Sequence, residues 1–78
     1  MPNGLSNWCE RDVVDFLKEK GFIFYEYRKG SHYAYINKQT GHIVEINRPK
    51  GSYIPKTLET MIRQSGLSKK EWREWASN

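Results

Sequence analysis

Apolar residues follow two spacings along this chain, one helical and one alternating. Cys9, Val13, Phe16 and Leu17 recur on one helical face, with Val14 at its edge. Asp12, Asp15, Lys18 and Glu19 lie largely elsewhere, so the spacing predicts a one-sided amphipathic helix. Asn7, with Glu10 three residues on, offers a capping-box start, and Gly21 a natural end. Met1 to Ser6 reads as a short flexible lead. The spacing then changes. Phe22 to Arg28 is dense in aromatics, His32 to Asn37 is strand-like, and His42 to Asn47 alternates, with Val44 and Ile46 set to face inward. Lys29-Gly30 and Lys38-Gln39-Thr40-Gly41 are short turns, so the three strands form an antiparallel meander. Helical spacing returns at Leu58, Met61 and Ile62, with Pro55 near the first turn and Gly66 at the end. Ser68 and Glu71 open a last short helix, whose Trp72 and Trp75 are placed to cover one end of the core.

The elements therefore run helix, three strands, helix, short helix. An antiparallel sheet with one apolar face needs cover on that face only, which two helices supply. The predicted fold class is α+β, of the double-stranded-RNA-binding-domain (dsRBD-like) type: α-β-β-β-α with an extra short C-terminal helix. Seventy-eight residues suit a single domain, 1–78, with one modest core and no deep cofactor cavity.

Charge sharpens this picture. The formal net charge is +4. Between Arg28 and Lys56 stand Arg28, Lys29, Lys38, Arg48, Lys50 and Lys56 against one acid, Glu45, while the first helix carries Glu10, Asp12, Asp15 and Glu19. One cationic face suited to a nucleic-acid backbone is the expectation. A single cysteine, Cys9, excludes an internal disulfide and a Cys-cluster zinc site. No secretory signal is visible, and no apolar run approaches the ~20 residues of a membrane span. A reducing, cytoplasmic setting fits, with no membrane association. Two distant histidines and no clustered carboxylates offer no metal-ligand set, and no cofactor is expected.

The candidate chemistry gathers at Gly30-Ser31-His32. Glycine permits positive φ and close approach, serine adds a small hydroxyl, and histidine titrates near neutrality. His32 is thus the candidate proton-transfer residue. Arg28, Lys29, Arg48, Lys50 and Lys56 are candidates for holding phosphate, and Ser31 for hydrogen-bonding a phosphate oxygen. Tyr33 or Tyr35 is placed to stack a base.

The order of these motifs resembles the HicA toxin family (YcfA-like mRNA interferases). The resemblance runs from about Val13 to Glu71. It is sharpest at Gly30-Ser31-His32 and at Thr57-Leu58 followed by Ile62-Arg63-Gln64-Ser65-Gly66-Leu67. It implies a dsRBD-like endoribonuclease acting on single-stranded mRNA without metal, the toxin of a type II toxin–antitoxin system. The family's Gly-Ser-His histidine maps onto His32, and a HicB-type antitoxin is implied as the partner that covers it. Two features depart from the pattern. The span from Gly21-Phe22 to Gly30 is slightly long, which points to a bulge or slipped register near the active strand. Pro49 is followed by Lys50-Gly51 where the family often has Pro-x-His. Two other readings use the same residues: a non-catalytic RNA-binding module that meets A-form duplex by shape, and a protein-interaction adaptor using the open sheet or the tryptophans.

Overall fold

Six elements follow one another: α1 (Glu10–Glu19), β1 (Ile23–Tyr27), β2 (Tyr33–Ile36), β3 (Ile43–Ile46), α2 (Pro55–Ser65) and α3 (Lys69–Ala76). They are seen in a computed structural model that describes residues 2–77. The strands form one antiparallel sheet in the order β1-β2-β3. Its inward face is set by cross-strand pairing. Tyr33 lies opposite Ile46 and Tyr35 opposite Val44, and all four are buried in one cluster with residues from the three helices. Ala34 pairs with Glu45 and Ile36 with Ile43 on the other face, as period-2 alternation requires.

β1 is longer than its partner by one residue. The register shifts between Phe24 and Glu26, so the extra length of the 21–30 span is taken up as a bulge at Tyr25. A bulge adds local twist and re-aims the flanking side chains. Here it brings Phe24 and Tyr27 to the same face, opposite Tyr35 and Tyr33.

The helices form largely where the spacing places them. Val13, Phe16 and Leu17 are buried on α1, and Leu58, Met61 and Ile62 on α2. Gly66 ends α2 in the left-handed conformation at φ 72°. Ser68 and Glu71 form the expected capping box, the Ser68 side chain accepting from the Glu71 amide. Gln64 of α2 reaches the free edge of β3, where its Oε1 accepts from the Glu45 amide at 3.0 Å. Asn37 is a buried polar residue that carries the β2–β3 turn. Its Oδ1 accepts from the Gln39 and Thr40 amides, and its Nδ2 donates to the Lys20 carbonyl.

The N-terminal segment differs from expectation in two ways. Helix α1 begins at Glu10 with Cys9 as its N-cap. Asn7 stands outside the helix with φ 60°, and Asp12 accepts from the Cys9 amide at 3.0 Å. Asp12 at the third helical position does the work assigned to Glu10, two residues further along. Nor is the lead loose. Met1 lies outside the described residues, but Asn3 and Ser6 exchange backbone hydrogen bonds at 2.9 Å, and Trp8 has no exposed surface. Trp8 packs on Phe16, Trp72 and Trp75 with ring centroids 5.1–5.7 Å apart, and its indole N–H donates to the Gly4 carbonyl. Burial of so large a side chain, together with the hydrogen bonds of the turn before it, offsets the conformational entropy of the ordered lead. The Tyr53 amide in turn donates to the Trp8 carbonyl at 2.8 Å, which ties the basic loop after β3 to this segment.

Candidate active site

His32 precedes β2, beyond a turn made by Gly30 at φ 72°. A β-carbon there would meet no atom within 4 Å, so glycine serves the backbone angle alone. The Arg28 amide donates to the His32 carbonyl at 2.8 Å, which locks the turn to the end of β1. Alternation from Tyr33 sends the imidazole to the face away from the helices. It is 47% exposed, with Nδ1 3.5 Å from Glu45 Oε1. A nitrogen held by a carboxylate leaves the other ring nitrogen for solvent or a ligand. Lys29 and Ser31 are exposed beside it. Arg28 lies at the same strand end, its guanidinium 3.1 Å from Glu26.

Arg48 does not join this group. Its guanidinium lies 5.7 Å from the centre of the Tyr33 ring and 3.7 Å from Glu10, against the helix-facing side of the sheet. The expected cationic face is therefore divided at this end of the sheet: Arg28, Lys29 and Ser31 with His32, and Arg48 with Tyr33. Lys50 and Lys56 are exposed in the following loop and the first turn of α2, with no contact that draws them to the histidine.

Tyr33 is placed differently from a free stacking platform. Only 8% of it is exposed, its ring is part of the core, and its hydroxyl donates to Glu10. Tyr35 is similarly buried. Central strands are covered on the helix side, which is why β2 aromatics pack while those of the edge strand stay open. On β1, Phe24 and Tyr27, which pair across to these two tyrosines, are exposed, as is Tyr25 at the bulge. No feature of the sequence separated these pairs, because all four lie in aromatic-rich strand runs.

Burial raises the Tyr33 phenol above its usual range, with the hydrogen bond and the charge of Glu10 adding to it. Burial does the same to Tyr53, again with Glu10 adding to it. A phenol whose folded pKa is raised favours the native state below its unfolded value of about 10, and that contribution is lost as pH climbs through the folded value. Stability should fall with rising pH above about 10. Tyrosinate absorbance should then grow with unfolding, and the decline should be shallower in Tyr53→Phe.

Among the described residues no three His, Cys, Asp or Glu side chains gather to hold a metal ion, and no helix is long and apolar enough to cross a membrane.

Fold and site together define a class: a small α+β domain in the strand order of double-stranded-RNA-binding domains, which presents an exposed imidazole on a glycine turn. The family model described as the HicA toxin of bacterial toxin–antitoxin systems matches residues 11–67, well over half of the chain. The chain belongs to the HicA toxin family, whose members work with an antitoxin partner. No curated protein sequence matches it closely enough to count as a relative.

Proposed function

We propose that this toxin is an endoribonuclease that cuts single-stranded mRNA, with His32 as its proton-transfer residue. The observation that carries the reading is the half-exposed His32 imidazole on the Gly30 turn, inside the segment matched by the HicA family model. RNA holds its own nucleophile. His32 withdraws the 2′-hydroxyl proton, the oxygen attacks the adjacent phosphorus, and the 5′-oxygen leaves and takes up a proton. The products are a 2′,3′-cyclic phosphate and a 5′-hydroxyl. Arg28 and Lys29 hold the phosphate as negative charge builds on it, and Ser31 donates to one of its oxygens. Lys50 and Lys56 contact the strand further along. This chemistry needs no metal, so labelled RNA should be cut in EDTA to give cyclic-phosphate ends. Intact RNA under those conditions, with protein that binds it, favours the binding-module reading. A HicB-type antitoxin would silence the enzyme by covering His32.

Glu45 acts as a positioning residue in this scheme, holding Nδ1 so that Nε2 meets the substrate. An exposed pair of this kind contributes about 0.2–1 kcal/mol. Glu45→Gln should therefore lower kcat about two- to fivefold with KM little changed. The His32 ring should lose its preference for the Nδ1–H tautomer in nitrogen NMR, a signature that a purely structural role would not move.

A further inference from the structure

The side of the sheet opposite His32 carries a groove that the cleavage scheme does not use. Phe24, Tyr27, Tyr33 and Tyr35 line it, and Glu10 and Arg48 close it, around a volume of about 190 Å³. It adjoins a wider groove of about 620 Å³ between α1 and the Pro49–Gly51 turn, which shares Glu10, Tyr33 and Tyr35. Phe24 and Tyr27 meet edge to face with centroids 5.0 Å apart, and Tyr27 is 77% exposed. An isolated tyrosine on a surface is ordinary. Two exposed rings inclined at 60° to each other over two buried ones, beside a guanidinium, make an aromatic corner with an open π-face.

We propose that this groove is a nucleobase site, which takes one unpaired base of the single-stranded RNA and stacks it on Tyr27 and Phe24. The proposal rests on the nuclease reading and adds to it where the strand goes once it leaves His32. Charge decides what enters. The two charged groups of the groove, Glu10 and Arg48, are paired with each other at 3.7 Å, so its floor is close to neutral. A phosphate would meet the Glu10 carboxylate, whereas a flat base meets only rings. The flanking chain is cationic: Arg28 and Lys29 directly follow Tyr27, and Lys50 follows the Pro49 that lines the wider groove. A polyanion running along those residues can turn one base inward at the edge of β1. The Tyr25 bulge makes the corner, since it sets Phe24 and Tyr27 on one face across three residues of strand. Base–aromatic stacking tolerates any base, so the site adds affinity and registers the strand without reading a sequence.

The test uses the full chain carrying His32→Ala, so that RNA is bound and not cut. The probes are a fluorescent single-stranded RNA of about eight nucleotides, within the range of single-strand sites, and an abasic ribose-phosphate chain of the same length. Adding Tyr27→Ala should weaken RNA binding about five- to 150-fold and leave the abasic chain unaffected. The salt dependence should be unchanged because no phosphate contact is lost. Tyr27→Phe should bind like the parent. Equal RNA binding by Tyr27→Ala and the parent overturns the site, and so does an equal loss for both probes. If Tyr27→Ala disrupts antitoxin binding while RNA affinity holds, the groove is a protein-docking surface and the proposal is wrong. The two readings fail separately. RNA cleavage by the unmodified toxin with an indifferent Tyr27 removes only the groove assignment, while a parent protein that binds no RNA removes the nuclease reading with it.

Discussion

Replacing His32 with alanine should reduce RNA cleavage about 10²–10⁴-fold, the usual contribution of a single general acid–base group, and leave the fold intact. The imidazole is half exposed and its side-chain partner among the described residues is the exposed Glu45, so its removal opens no cavity in the core. The backbone hydrogen bond that holds the turn uses the His32 carbonyl, which alanine retains. Affinity for RNA should change little if, as proposed, Arg28 and Lys29 hold the phosphate. Loss of kcat at nearly constant binding is the mark of an interaction made chiefly in the transition state. The measurement is single-turnover cleavage beside a thermal melt. Cleavage at the wild-type rate by a cleanly folded variant would remove His32 from the mechanism and move the search to another group.

The largest effect on stability should come from Trp8→Ala. Removing a fully buried aromatic side chain costs about 3–5 kcal/mol, and domains of this size hold only about 5–15 kcal/mol in all. Trp8 is also a junction. It touches Phe16 of α1 and both Trp72 and Trp75 of α3, and its carbonyl takes the Tyr53 amide. The variant should lose a large part of its stability, read as a lower urea midpoint. Tyr53 and the loop after β3 should show faster amide exchange than the strands. A loss below about 1 kcal/mol would mean that the cluster closes over the gap, contrary to the tight packing seen here.

How much of this could be read from the chain depends on the residue. Val44 and Ile46 flank the polar Glu45 and are followed by Asn47, and a two-residue period has one interpretation when only one face is covered. Leu58, Met61, Ile62 and the glycine after them are equally unambiguous, as is the Ser68–Glu71 pair. Trp8 carried no such signal, for an aromatic two residues before a helix belongs to no periodic set and its burial is decided by Phe16 and Trp72 together. The cap was missed for a related reason. Asn7 is the better capping residue in isolation, but the turn that seats Trp8 puts it at φ 60° and hands the cap to Cys9. At the candidate site, the exposure of His32 followed from its place beside a glycine turn. The position of Arg48 did not, because Pro49 and Gly51 let the loop leave the sheet toward either face, and the contact with Glu10, thirty-eight positions earlier, chose one. Tyr33 and Tyr27 look alike in a list of residues and part only once central and edge strands are known.

The aromatic knot at Trp8, Trp72 and Trp75 straddles the limits of the family-matched stretch, 11–67. A fragment trimmed to that stretch would keep His32, its turn and all three strands, yet leave Phe16 without the rings that enclose it. Shared ancestry and self-sufficient folding thus have different borders in this toxin. Excising the first would keep the candidate-site sequence on a chain stripped of the rings that close one end of its core.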